Sequence, residues 1–123
     1  MFFKQKLGEK GEKLARGYLR KKGYRILEER YRTRFGELDL ICREGKTIIF
    51  VEVRARKLED GIKVEESIRD RKIEHLVKSA QVWLGRKRLK GFKLRFDLIS
   101  VNFAIHPPEL VHYPGWIQSH LDL

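Results

Sequence analysis

The chain has a single cysteine, Cys42, in 123 residues, which excludes an internal disulfide framework and a multi-cysteine zinc site. No internal repeat or low-complexity segment interrupts it. Its apolar runs are too short to span a bilayer. Met1-Phe2-Phe3-Lys4 leads into charge rather than into the apolar stretch of a secretion signal, so a cytoplasmic protein is expected. There is no Walker-type phosphate loop and no Rossmann glycine pattern, which removes nucleotide-hydrolase and dinucleotide readings. Acidic charge is scarce as well: 17 Asp and Glu face 28 Lys and Arg, for a net charge of +11. What is present, 41% hydrophobic and 37% charged residues, is the composition of a globular chain. Its length predicts one domain over residues 1–123. The positive excess seeks an anionic partner, nucleic acid ahead of a membrane surface or an acidic protein.

Leu7, Gly11, Leu14, Ala15, Tyr18 and Leu19 fall at helical spacing and predict a helix over residues 7–22, stopped by Gly23. Strands follow at 24–31, 37–43 and 47–54, the last two joined by a tight turn at Glu44-Gly45-Lys46. Residues 55–64 read as a loop, and Ser67 with Asp70 has the spacing of a helix opening. That second helix carries an apolar stripe of Ile73, Leu76, Val77, Ala80, Trp83 and Leu84. A basic linker (86–91), a strand (94–103), a turn at Pro107-Pro108 and a short strand (109–113) complete the chain. The order α-β-β-β-α-β-β is that of a mixed α/β domain with a hairpin at its centre.

A two-residue turn at Gly45-Lys46 sets Glu44 opposite Thr47 and therefore Asp39 opposite Glu52. Opposed residues have Cβ atoms about 4.5–5.5 Å apart. Glu52 and Arg54 share a face, whereas Leu38, Leu40, Val51 and Val53 are expected to point together into the core. Two bare carboxylates at that separation repel by roughly 3 kcal/mol at an effective dielectric near 20. A shared proton, a nearby basic residue or a divalent cation would offset it, and Mg²⁺ is commonly held by one or two carboxylates. The same spacing also fits solvated acids paired with Arg54, Arg56 or Arg43. Glu12 lies at the edge of the first helix's apolar face, either reaching towards the hairpin or serving as an ordinary helix-boundary acid.

Gly8-Glu9-Lys10-Gly11-Glu12, with Ala15, Tyr18-Leu19 and Gly23-Tyr24, resembles the opening of the YraN-like family of small bacterial proteins. Gly36-Glu37-Leu38-Asp39-Leu40-Ile41 and Phe50-Val51-Glu52-Val53-Arg54-Ala55-Arg56 resemble its two most diagnostic motifs. Lys72, Ala80 and Arg95-Phe96-Asp97-Leu98-Ile99 match its second half, so that the resemblance covers roughly residues 7–117. That family is similar to the restriction-endonuclease-like superfamily and, distantly, to archaeal Holliday-junction resolvases. The resemblance implies a restriction-endonuclease-like α/β fold, a mixed central sheet with an αβββαβ core and flanking helices. It implies Asp39 and Glu52 as metal-binding positions for Mg²⁺ or Mn²⁺, and Glu12 as a helical acid assisting them. Arg54 stands where the superfamily has a catalytic lysine, a position at which YraN-like proteins vary between Lys and Arg. Arginine effectively never deprotonates, so Arg54 orients water or stabilises charge and does not act as a general base.

Arg20-Lys21-Lys22, the stretch 30–34 and the stretch 86–93 are basic and suit a phosphate backbone. Arg56, Lys72, Arg86, Lys87 and Arg88 are the candidate nucleic-acid contacts. Arg95 and Asp97 share a strand face and are expected to form a structural ion pair. His75, His106, His112 and His120 lack metal-ligand spacing, and Cys42 reads as an inert core thiol. Trp83 belongs to its helix's core stripe and Trp116 is expected to cap the core. The expected activity is metal-dependent endonucleolytic cleavage of DNA, branched or damaged DNA among the candidates. The alternatives are a catalytically silent nucleic-acid-binding module of the same fold and an interaction domain for an acidic partner. The distant resolvases act as symmetric dimers on junctions, which makes a homodimer an expectation for sedimentation to decide.

Overall fold

The structure, a computed structural model, describes residues 2–57 and 70–116, with side chains placed for 6–57 and 72–116. Helix α1 (Phe2–Lys21) buries Ala15 and Leu19 on one face. It ends where Gly23 takes φ +91°. Gly23 N–H then donates to Arg20 O and Tyr24 N–H to Leu19 O, both at 3.0 Å, which satisfies carbonyls the helix would otherwise leave open. Strands β1 (Arg25–Thr33), β2 (Gly36–Glu44) and β3 (Thr47–Arg56) follow, then helix α2 (Asp70–Lys87) and strands β4 (Lys93–Asn102) and β5 (Glu109–Tyr113). They form one five-stranded sheet in the order β1-β2-β3-β4-β5. Only β3 and β4 pair in parallel, and α2 lies in the long connection that parallel neighbours require.

The two helices cover opposite faces. Ile48 and Phe50 of β3 pack with Ile73, Leu76, Ala80 and Trp83 of α2, while Ile49 and Val51 pack with Ala15 and Leu19 of α1. A strand buried on both faces in this way reads as a continuous apolar run, as 48–51 does. The result is the expected mixed α/β architecture with its αβββαβ core, β5 being added at the edge beside β4. No described helix is long and apolar enough to cross a membrane.

Several expected boundaries move. Strand β3 runs on through Ala55 and Arg56 because β4 offers Val101 and Asn102 as ladder partners, so these two residues leave the expected loop. Arg86 and Lys87 belong to the last turn of α2 rather than to a linker; their charge suits the negative end of the helix dipole. The chain turns out of the helix at Arg88, φ +52°. The proposed helix opening at Ser67 lies outside the described residues.

Candidate active site at the open end of the hairpin

The turn between β2 and β3 is the predicted two-residue one, with Glu44 opposite Thr47 and Gly45 at φ +58°. The register holds from there to Leu40 opposite Val51. At Asp39 the ladder gives way to a side chain: Asp39 Oδ2 accepts the Val53 N–H at 2.8 Å. Leu38 packs in the α2 layer and Leu40 in the α1 layer, which corrects the expectation that both point the same way. Strict alternation would put residues two apart on one face, so the strand is irregular around Asp39. Its neighbour on β1, between the pairs Glu29–Leu40 and Tyr31–Leu38, is Arg30. Arg30 has φ +49°, a left-handed backbone that costs a non-glycine residue about 1–3 kcal/mol. The Arg30 guanidinium donates to Glu12 Oε2 through Nε at 2.8 Å.

Glu12 reaches this point because α1 lies close against β3. A Cβ on Gly11 would stand 2.7 Å from the Ala55 Cβ, so only glycine permits the approach. Carboxylate oxygens of Glu12, Glu37 and Asp39 lie within 4.8 Å of one another. Glu52, its side chain 4% exposed, stands beside Asp39 and has Lys72 Nζ 3.5 Å from its Oε2. That oxygen is buried and has no hydrogen bond among the described residues, and neither does the buried Nε of Arg54. Glu37 is also held from outside, by Arg32 at 3.1 Å. Each outer acid thus has one cation, whereas Asp39 in the middle has none among the described residues. Burial first, then the nearby charge of Glu52, a side-chain hydrogen bond shared with it, and last the charge of Glu12 push the Asp39 carboxyl well above the usual carboxylate range. The Val53 N–H pulls weakly the other way.

The structure therefore gathers Glu12, Asp39 and Glu52, and α2 delivers Lys72 to the same place. Arg54 follows Glu52 by two positions on β3. Arg56 is exposed at the end of that strand and donates to Ala55 O at 2.9 Å. Burial and the adjacent Arg54 lower its pKa from the ordinary arginine value. The other basic candidates sit elsewhere. Arg86 donates to the Tyr31 hydroxyl, Lys87 Nζ lies 3.4 Å from Glu28 Oε2, and Arg88 is exposed. At 1.5 Å per residue they stand about 22 Å along α2 from Lys72. Glu37 and Arg30 were not foreseen. Glu37 precedes Asp39 by two positions on one strand, and that period was the signal available for it.

A mixed sheet between two helices, with acids gathered at the open end of its central hairpin, defines an α/β protein of nuclease-like fold. The chain belongs to the Uncharacterised protein family UPF0102, which its residues 11–101 match; this is the YraN-like family its motifs resemble. It is 45% identical over 94 residues to a UPF0102 protein of Persephonella marina, covering 76% of this chain and 81% of that one. It is 40% identical over 103 residues to UPF0102 protein VP0448 of Vibrio parahaemolyticus, covering 83% and 85%. A UPF0102 protein of Geobacter metallireducens is 39% identical over 109 residues, 89% of each chain.

Proposed function

We propose that the protein is a divalent-metal-dependent endonuclease acting on phosphodiester bonds in DNA, with branched or damaged DNA as candidate substrates. The observation that carries this reading is the convergence of Glu12, Glu37 and Asp39 oxygens within 4.8 Å, beside the buried Oε2 of Glu52, which has no hydrogen bond among the described residues. In a chain of net charge +11 such a concentration of acids needs a cation, and hard carboxylate oxygens suit Mg²⁺ or Mn²⁺. Asp39 and Glu52 would hold the ion, with Glu12 and Glu37 within reach to complete or orient its shell. When bound, such an ion polarises a phosphodiester and lowers the pKa of an attacking water. The Arg54 guanidinium supplies fixed positive charge for the negative charge that grows on the phosphoryl oxygens. Lys72 keeps Glu52 in place and presents an ammonium to the incoming phosphate. Arg56 extends that positive edge, and Arg86, Lys87 and Arg88 offer phosphate contacts further along a duplex.

One observation favours the silent binding module instead. Arg30, Arg32 and Lys72 already partner Glu12, Glu37 and Glu52, so that among the described residues Asp39 is the gathered acid left for a cation to neutralise. Incubation with supercoiled, linear, single-stranded and four-way-junction DNA, in Mg²⁺, Mn²⁺ or EDTA, separates the two. Metal-dependent cutting that disappears in folded Asp39→Ala protein, with DNA affinity retained, is the expected result. No cutting, with salt-sensitive binding intact and no Mn²⁺ uptake by calorimetry, would sink the nuclease reading and leave the binding module.

A further inference from the structure

Glu12, Ala15 and Leu19 turn one face of α1 inward, and at 100° per residue Lys10, Lys13, Leu14, Gly17 and Lys21 lie on the other. Between this outer face and the end of the sheet runs a groove of about 650 Å³. Leu14, Tyr18, Phe103, Pro108 and Leu110 line it, and the exposed Lys10, Lys13 and Lys21 complete it. Its volume is that of a built ligand pocket. No carboxylate lines the groove, and none of the three lysines forms an ion pair among the described residues. Leu14 is 41% exposed there, a large apolar side chain left in water beside a row of cations.

We infer that this groove is a docking site for an acidic segment of a partner protein that carries apolar anchor side chains. The charge sets the sign of the partner, and the apolar lining sets the rest. A bare polyanion would meet the lysines and leave the Leu14, Pro108 and Leu110 surface wet. Single-stranded nucleic acid wants flat aromatic platforms. Neither lining ring is a free platform: Tyr18 has Lys22 Nζ 5.3 Å from its centroid and its hydroxyl 3.1 Å from His112 Nδ1, and Phe103 is half-buried against the core. A second copy of this chain is a poor occupant. Of its exposed large apolar side chains, Leu14, Leu89 and Leu94 each have a Lys or Arg as a chain neighbour and Ile105 stands apart between Ala104 and His106, so that in a chain of net charge +11 self-docking of this groove would press like charges together. An acidic peptide with a leucine or aromatic side chain meets both requirements, its anchors in the groove and its carboxylates on the lysines.

Gly17 allows a clean test. A Cβ there meets no atom within 4 Å, so Gly17→Leu fills the groove without touching the core and also favours the helix. A short fluorescein-labelled peptide of aspartates and glutamates ending in Leu-Phe, titrated into the full chain, should bind saturably. Affinity should fall about tenfold or more in Gly17→Leu, in Lys13→Glu/Lys21→Glu, and when the peptide's Leu-Phe is replaced by serines. Gly17→Ala, which adds one methyl group, and Asp39→Asn, which lies across the helix, should leave binding unchanged. The inference is overturned if the peptide does not bind, or if the serine peptide binds equally well. It is also overturned if Gly17→Leu abolishes binding of an oligothymidine strand or of phosphatidylglycerol vesicles, or dissolves a dimer, instead.

Discussion

Two aspartates stand next to the same strand and meet opposite fates. Asp97 on β4, opposite Val51, is 0% exposed, yet every approach to it is a donor. Arg95 gives it two bonds at 2.8 and 2.9 Å, His112 Nε2 lies 2.7 Å away, and the Gly115 N–H donates at 2.8 Å. Burial alone would raise its pKa; hydrogen bonds from His112, Arg95 and Gly115 outweigh that and hold it below the ordinary value. Asp39 is surrounded by Glu12, Glu37 and Glu52; among the described residues it takes one backbone N–H and shares a hydrogen bond with the Glu52 carboxyl, which raises its pKa instead of lowering it. The first carboxylate is finished within the chain. The second is incomplete, as are Glu52 Oε2 and Arg54 Nε on the neighbouring strand among the described residues, and that cluster of unmet polar groups is the ground for the proposed metal site.

The largest break in this comparison comes from removing the satisfied member. Asp97→Ala strands a buried His112 and a guanidinium, and should cost about 3–5 kcal/mol, read as a shift in urea midpoint. Because the folded pKa of Asp97 is lowered, its contribution is present above the ordinary aspartate value near ~4 and lost as pH falls through the folded one. Wild-type protein should therefore lose more stability than Asp97→Ala on acidification below about pH 4. A parallel acid titration of the two proteins, with no difference in slope, would contradict the assignment.

The next effect concerns how the incomplete site is put together. Gly11→Ala forces a methyl group to 2.7 Å from the Ala55 Cβ, both partners being on packed elements, so α1 must lift from β3. Overpacking of this kind costs about 1–3 kcal/mol. It should also withdraw Glu12 and weaken Mn²⁺ binding, measured by calorimetry, while Gly17→Ala on the outer face should stabilise the helix slightly and leave the metal alone.

How far the residues alone disclosed this can be followed along β2. The register came from Gly45 and the two-residue turn, because alternation and turn geometry are local properties. The expectation of Asp39 opposite Glu52 followed from it, but the ladder's pairs end at Leu40 and Val51, where Asp39 leaves it to cap Val53 while its carboxyl stays beside Glu52. That depends on the left-handed Arg30 of another strand and on α1 closing over Gly11, both products of packing. Glu12, at its helix edge, left two readings open, a reach towards the hairpin or an ordinary boundary acid; its carboxylate lies within 4.8 Å of Glu37 and Asp39 oxygens and accepts from Arg30. Lys72, in sequence a candidate nucleic-acid contact, lies beside Glu52. Trp83, Cys42 and the Arg95–Asp97 pair hold the expected places, the Cys42 thiol being pushed up to about 12 by burial. His112 shows only the absence of metal-ligand spacing in the sequence; its bond to Asp97 joins β5 to β4 across a turn whose path no periodicity reports.

The smallest effect sharpens the comparison most. Asp39→Asn keeps an oxygen for the Val53 N–H and removes the charge that Glu52 and Glu12 oppose, so in metal-free buffer it should stabilise the protein by about 1–2 kcal/mol at neutral pH. The sign follows from proton linkage. With its folded pKa raised, wild-type Asp39 holds its proton in the native state over a range in which the unfolded chain has already released it. Wild-type stability from this group therefore declines as pH rises from the ordinary aspartate value near ~4 to the raised one, and is flat above it. Asparagine has no such term, so the variant's advantage is smallest at acid pH, grows through that window and then levels off. Excess Mn²⁺ should reverse the order, since a ligand at 100 times its Kd adds about 2.7 kcal/mol to the protein that binds it and nothing to the one that does not. Thermal unfolding of both proteins across pH, with EDTA and with Mn²⁺, reads all of this. A variant no more stable than wild type in EDTA, or a gain that shrinks with rising pH, would mean that Asp39 is as well satisfied as Asp97.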